Sequence, residues 1–211
     1  MQVQTYTVGP FAENTYLLTE GDEALIVDPG FTEEAEFEKV KLQIQQEHIT
    51  LQAVVLTHAH VDHVLGLKKV LDEFNVPVYL SDKDRYLWDN FPSQSAMFGF
   101  QTDGFSFEPK PIPIQSDWSV GSFTFDVRYT PGHAPDHVSL YSSSDGIVIA
   151  GDALFKEGIG RTDLYKGDFK TLEKSIREQL YSLPDDTVVY PGHGPETTIG
   201  HEKQSNPFVK S

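Results

Sequence analysis

The chain has 211 residues, 38% of them hydrophobic and 23% charged, enough for one globular domain with a buried core and too apolar for a disordered segment. Its 32 acidic residues outnumber 16 Lys and Arg, and the resulting charge of −16 excludes a phosphate backbone as an expected partner. Cysteine is absent, so disulfides, thiolate nucleophiles, zinc–thiolate sites and iron–sulfur clusters are all ruled out, and any metal must be held by nitrogen and oxygen.

The N-terminus reads as a meander of three short antiparallel strands over residues 3–8, 14–18 and 24–27, closed by the turn Asp28-Pro29-Gly30. Residues 32–48 carry Phe37, Val40 and Ile44 at helical spacing, with Thr32 as the expected N-cap and acidic residues in the first turn. A buried strand at 53–56 delivers the chain to Thr57-His58-Ala59-His60. A helix over 64–74 and a strand over 76–80 follow, and 82–105 reads as partly helical, aromatic and then irregular.

Residues 123–129 alternate and lead into Thr130-Pro131-Gly132-His133. Strands at 138–141 and 146–150 come next, the second ending in Gly151-Asp152. A helix over 169–180 precedes a last strand, 187–190, which enters Pro191-Gly192-His193-Gly194. Strands followed by helices, twice over, predict an α/β protein with two sheets covered by helices, an αββα sandwich, and no break suggests more than one domain over 1–211. No apolar run approaches the roughly 18 residues of a membrane span, and the first residues lack the pattern of a signal peptide, so a cytoplasmic protein with no membrane partner is expected.

Seven residues organise the chemistry. His58, His60, Asp62, His63, His133, Asp152 and His193 all follow an apolar strand, where sheet folds display ligand groups. A single histidine is more often structural or solvated, as expected of His48 and His201, but seven accidents in this order are not. An i, i+2 pair leaving a strand projects two imidazoles to one side, and the adjacent Asp62 and His63, expected in a tight turn, can grip a second ion. Imidazole and carboxylate suit zinc, iron or manganese.

The motifs His58-x-His60-x-Asp62-His63, Pro131-Gly132-His133, Gly151-Asp152 and Pro191-Gly192-His193-Gly194 resemble those of the metallo-β-lactamase superfamily, in the same order. Within it, the segment Gly158 to Leu164 and the closing Asn206-Pro207-Phe208 resemble the short glyoxalase II-like (hydroxyacylglutathione hydrolase-like) members. The resemblance implies two divalent ions, zinc in the first instance with iron or manganese as alternatives. His58, His60 and His133 would hold one, Asp62, His63 and His193 the other, and Asp152 both. A bridging carboxylate and a shared water agree with two-metal hydrolysis, in which the water's pKa falls toward about 7.

The resemblance further implies that Asp62 and Asp152 act in catalysis, that Asp28 orients a ligating histidine, and that Arg161 contacts substrate. The reaction implied is hydrolysis of a small-molecule thioester of the S-2-hydroxyacyl-thiol class. Alternatives on the same scaffold are a mononuclear-iron persulfide dioxygenase, a lactonase or β-lactamase, and a non-catalytic metal-binding module. Where the family commonly has a Pro-Gly-Ser type turn, this chain reads Ala134-Pro135-Asp136-His137, which either supports the metal site from behind or alters the substrate pocket. Larger glyoxalase II enzymes continue into a helical extension that helps bind glutathione, and the sequence stops before one, so the thiol carrier stays open. Phe91, Phe98, Phe100, Phe105 and Phe107 either line a groove or pack in the core.

Overall fold

A computed structural model describes residues 1–210, with no cis peptide among them. They form two mixed six-stranded sheets flanked by helices, as expected for the α/β class. The chain divides into two compact units, Met1–Ile112 with Val120–Phe123, and Pro113–Ser119 with the chain from Thr124 onward.

In the first unit, β1 (Gln2–Val8), β2 (Glu13–Glu20) and β3 (Glu23–Val27) run antiparallel. The chain then crosses through α1 (Glu34–Gln46) to β4 (Thr50–Val55), parallel to β3. Two short helices, α2 (Val61–Val64) and α3 (Leu67–Phe74), lead to β5 (Val78–Leu80). After α4 (Tyr86–Asp89) and α5 (Phe91–Met97), β6 (Lys110–Pro111) completes the order β1-β2-β3-β4-β5-β6. β3 and β4 read as nearly continuous apolar runs because both faces are covered: Leu25, Ile26, Val27, Val54 and Val55 have no solvent exposure. Each such side chain contributes about 1.5–3 kcal/mol by leaving water.

In the second sheet, β7 (Trp118–Val120) and β8 (Phe123–Tyr129) precede β9 (Val138–Ser142) and β10 (Ile147–Gly151). A two-stranded ribbon, β11 (Leu154–Phe155) with β12 (Gly158–Ile159), follows. Then come α6 (Phe169–Ser175), one π-helical turn over Ile176–Leu180, β13 (Val188–Pro191), β14 (Thr197–Thr198) and α7 (Ile199–Ser205). The sheet order is β14-β13-β10-β9-β8-β7. Leu172, Ile176 and Leu180 pack with Val148, Val189, Ile199 and Val209 in one apolar cluster.

Several local expectations are corrected. α1 is capped by Glu33, one residue later than Thr32, because the Glu36 carboxylate takes the backbone N–H groups of both Thr32 and Glu33 at 2.9 Å. The helix expected over 64–74 is two helices. Gly66, which separates them, faces the fully buried Phe31 so closely that a Cβ would lie 2.7 Å from its ring, and its N–H bonds the Pro29 carbonyl at 2.8 Å. Asp62 and His63 therefore sit on a helical turn, α2, with His60 as its N-cap, and not in a tight turn. The helix over 169–180 relaxes after Ser175 into the π turn, which keeps Ile176 and Leu180 buried.

Candidate metal centre

In the first unit, parallel pairing of β3 with β4 sets Val27 opposite Val55, and the Asp28 N–H continues the ladder to the Val55 carbonyl at 3.1 Å. Asp28 and Thr57-His58 thus leave neighbouring strands at the same edge. Asp28 adopts φ 51°, a left-handed conformation that Asp tolerates better than most side chains, and so turns its carboxylate back toward Thr57. Its Oδ1 accepts the Thr57 N–H at 2.7 Å, and its Oδ2 accepts the Thr57 hydroxyl at 2.6 Å.

Two imidazoles take their orientation from this anchor. His63 Nδ1 lies 3.0 Å from Asp28 Oδ2. His58 Nδ1 lies 3.0 Å from Thr57 Oγ1, which has already given its proton to Asp28 and therefore accepts. Both rings are thereby fixed with hydrogen on Nδ1 and a lone pair on Nε2, the tautomer a metal-ligating histidine needs. Asp28, His58 and His63 each place a ligand atom within 4.8 Å of the others. The oxygens of Asp28 are committed to Thr57 and His63, so its carboxylate holds the His63 ring directly and the His58 ring through Thr57. The His58 ring stands 4.8 Å from His60 and 4.2 Å from His63, centroid to centroid, and His63 Nε2 is 4.0 Å from Asp62 Oδ2. α5 braces the loop, since Gln94 Nε2 donates to the Ala59 carbonyl at 3.2 Å.

Behind His63 lies a residue the sequence did not disclose. Glu13, on β2, is 1% exposed, with Oε1 3.8 Å from His63 Nδ1. Burial pushes its carboxyl well above the usual carboxylate range; the Asp28 and Asp62 charges add to the push, and His63 and the Thr15 hydroxyl oppose it. Hydrogen-bond arithmetic agrees. Thr15 Oγ1 lies 2.9 Å from Glu13 Oε2 and 2.8 Å from the Asp28 carbonyl while accepting the Gly30 N–H at 2.9 Å. One hydroxyl proton cannot serve two acceptors, whereas a protonated Glu13 donates to Thr15 and Thr15 donates to Asp28.

In the second unit, four strand ends meet at one edge. β10 and β13 are parallel with Gly151 opposite Pro191, so Asp152 and His193 emerge side by side. β8 and β9 are antiparallel with Tyr129 opposite Val138, and β9 pairs with β10, which brings the connection carrying His133 to the same edge. His133 Nε2 lies 3.3 Å, and His193 Nε2 3.6 Å, from Asp152 Oδ2. His133 Nδ1 lies 2.8 Å from the Arg161 carbonyl, which can only accept, so the hydrogen is on Nδ1 and a lone pair on Nε2 faces the carboxylate. Two lone pairs aimed at each other in a nearly dry site repel, and a cation between them removes the conflict. The donor set fits a divalent metal.

Arg161 touches the site through its backbone. Its guanidinium, on a side chain 59% exposed, is engaged by Asp163 at 2.7 and 2.8 Å, a fork that holds the Asp163 carboxyl down to about 2. Gly160 beside it is required by close approach, since a Cβ there would lie 1.9 Å from the Asp152 carbonyl and 3.0 Å from the His133 ring. The aromatic candidates divide. Phe105 stacks on Trp88 at 4.8 Å, Phe107 meets Trp88 edge-on and Phe91 packs against Phe105, whereas Phe98 and Phe100 lean on Phe11 and Phe98 is half-exposed. A 1060 Å³ groove of the first unit, along α1, α3 and residues 101–108, is lined by none of the candidate ligands. His48 ends α1 at φ 54°, and His201 pairs with Glu157 at 3.1 Å on α7, so neither joins the set.

Residues 8–193 match the family described as the metallo-beta-lactamase superfamily. The chain belongs to it. A probable metallo-hydrolase of Bacillus subtilis, YqgX, is 39% identical, covering 99% of this chain and 98% of its own. The hydroxyacylglutathione hydrolase GloC of Haemophilus influenzae is 35% identical, covering 100% and 99%. Among solved structures, the BLEG-1 B3 metallo-beta-lactamase superposes with a TM-score of 0.88 at 36% identity over the whole of both chains. TTHA1623 in a di-iron-bound form gives 0.87 at 36% identity over 98% and 100%. Membership makes the protein a metallo-hydrolase with a histidine and aspartate cluster suited to divalent metal. No helix among the described residues is long and apolar enough to cross a membrane.

Proposed function

We propose that the chain is a binuclear metallo-hydrolase cleaving thioesters of the S-2-hydroxyacyl-thiol class. The observation that carries the metal part is the convergence of His133 and His193 on one oxygen of Asp152, with the His133 tautomer fixed by the Arg161 carbonyl. In this reading residues 1–211 act as one hydrolase domain, and the family match, from 8 to 193, runs through both units. His58, His60 and His133 hold one ion, Asp62, His63 and His193 the other, and Asp152 is common to both. Two such ions supply a water of lowered pKa and a Lewis acid for the acyl carbonyl.

The residues of the chain do the rest. Asp28 and Thr57 keep the hydrogens of His63 and His58 on Nδ1, so that neither ring can turn its N–H toward the ions. Asp62 accepts a hydrogen bond from the attacking water and aims it. Arg161 takes the carboxylate of the thiol carrier in place of Asp163, at about 1.5–3 kcal/mol for a charged hydrogen bond. Support for a glutathione thioester comes from the Haemophilus relative, whose name states that activity and whose length this chain matches almost entirely. Zinc suits a reaction without redox change, and the di-iron form of TTHA1623 keeps iron as the alternative. The same reading includes a cytoplasmic location and no nucleic-acid or membrane partner.

A second reading, β-lactam hydrolysis, is favoured by the likeness to BLEG-1. One assay series separates the readings: zinc-loaded protein under anaerobic conditions, offered hydroxyacyl-glutathione thioesters, a chromogenic cephalosporin and, with oxygen admitted, glutathione persulfide. Thioester cleavage without oxygen is expected. Cephalosporin turnover or oxygen uptake in its absence overturns the thioester assignment. One ion per chain at saturation, unchanged in His193→Ala, overturns the binuclear one.

A further inference from the structure

We infer that His137 is a positioning residue for the metal centre: it fixes the backbone from which Asp152 projects, and through Asp152 it governs the affinity for both ions. The inference rests on the reading of Asp152 as the shared ligand, and it gives the altered turn Ala134-Pro135-Asp136-His137 a task.

The need for such a residue begins in β10. The β10–β13 register shifts between Ile149 and Gly151, and Gly151 takes φ 51°, a left-handed conformation in which glycine is unstrained. That kink swings Asp152 off the strand toward His133 and His193. It also removes the flanking backbone groups from the regular ladder, and a buried N–H or carbonyl left without a partner is strongly disfavoured.

Thr130 just after β8, His137 just before β9 and Ser139 on β9 supply partners there, beside the Ala153 N–H that also reaches the Ala150 carbonyl at 3.2 Å. The Asp152 N–H donates to His137 Nε2 at 2.9 Å. A backbone amide can only donate, so Nε2 must be the accepting nitrogen and the ring hydrogen must be on Nδ1. His137 Nδ1 lies 2.8 Å from Thr130 Oγ1, Thr130 Oγ1 lies 3.0 Å from Ser139 Oγ, and Ser139 Oγ donates to the Ala150 carbonyl at 3.2 Å. Only one direction satisfies every group: Asp152 N–H to His137, His137 to Thr130, Thr130 to Ser139, Ser139 to Ala150. The relay starts and ends on the two residues flanking the kink. His137, Thr130 and Ser139 have no solvent exposure, so water cannot substitute. With Nε2 committed to a backbone amide, His137 is itself no ligand, although its ring centroid stands 6.2 Å from that of His133.

The test uses metal binding to the full chain, so it does not depend on which ester is cleaved. Wild type, His137→Phe and His137→Gln are stripped of metal and titrated with cobalt(II) against a chelator, following the d–d absorption, with near-UV circular dichroism of the apo-proteins beside it. Phenylalanine fills the space without an acceptor. Glutamine offers Oε1 near the position of Nε2. Both dissociation constants are expected to rise together by about 10- to 100-fold in His137→Phe, as for other groups that orient ligands, and to return to within about threefold of wild type in His137→Gln.

Unchanged constants in His137→Phe, or a rise for one ion alone, overturn the inference. Equal weakening in both variants with loss of the apo-protein dichroism also overturns it, because the role would then be structural. If His137→Phe does not fold, Thr130→Val, nearly isosteric, interrupts the same relay: weakened binding of both ions with native apo-protein dichroism supports the inference, and unchanged binding overturns it. A wild type that binds a single ion and is indifferent to Asp152→Ala refutes the shared-ligand reading instead, an outcome distinguishable from the others.

Discussion

The carboxylate of Asp28 meets three donors, the Thr57 N–H, the Thr57 hydroxyl and His63 Nδ1, and has 1% exposure. Asp28→Ala therefore removes the orienting partner of one ring directly and of the His58 ring through Thr57. Zinc affinity should fall by about 10- to 100-fold, read by chelator competition. An affinity within twofold of wild type would show that the rings hold their tautomers without it. Glu13 offers a second test. Its folded carboxyl is raised, chiefly by burial, so the unfolded chain releases the proton first as pH rises above the ordinary range near 4.5. Stability linked to Glu13 is thus complete below that range and lost as pH climbs toward the raised value. Glu13→Gln, neutral and similar in shape, escapes the loss, so the melting temperature of the metal-stripped variant should gain on wild type from pH 5 to 9; a constant difference refutes the assignment. The seven candidate ligands stand out in the sequence because motif and spacing carry them. Glu13 does not, since an acid at the start of a strand reads as solvated until β2, β3 and α2 close around it. Nor does the carbonyl of Arg161, a backbone group that no side-chain pattern announces.

At the scale of elements, the entry to α1 depends on one side chain. The Glu36 carboxylate accepts the N–H groups of Gly9, Thr32 and Glu33, tying the β1–β2 turn to the helix start. Partial burial pushes its carboxyl up, but these backbone donors outweigh it and leave the group below its ordinary value. A depressed carboxyl contributes stability that is complete above the unfolded value near 4.5 and lost as pH falls through the lowered one. Glu36→Gln should therefore cost about 1 kcal/mol at pH 7, the scale of a helix cap, and much less at pH 3. An equal cost at both values would assign the contribution to packing. The strands β3, β4, β9 and β10 were legible from their apolar runs, and α1 from the spacing of Phe37, Val40 and Ile44. The cap was not, because Thr32 is the favoured N-cap type, and Glu33 takes the position through a reciprocal pair with Glu36, whose carboxylate is also held by Gly9, distant in sequence. The break between α2 and α3 was hidden for the same reason: helical periodicity continues through Gly66, and the interruption comes from the Pro29 carbonyl, distant in sequence, which takes the Gly66 N–H at 2.8 Å out of the helical pattern.

For the whole molecule, a net charge of −16 opposes compaction, and screening by salt relieves part of that repulsion. Bound divalent ions should stabilise for a different reason, because His58 to His63 in one unit, and His133, Asp152 and His193 in the other, are each brought together only by folding. At free zinc a hundredfold above the dissociation constant, each site adds about 2.7 kcal/mol. For a chain of this length that raises the melting temperature by roughly 5–10 °C, and EDTA reverses it. Monovalent salt also raises the melting temperature, by screening alone, so zinc and sodium chloride must be compared at matched ionic strength. In Asp152→Ala the salt increment should persist while most of the zinc increment disappears, since the carboxylate proposed to serve both ions is gone. If Asp152→Ala keeps the full zinc increment, zinc is stabilising the fold through surface carboxylates and the centre built on His58, His60, Asp62, His63, His133 and His193 is not its site.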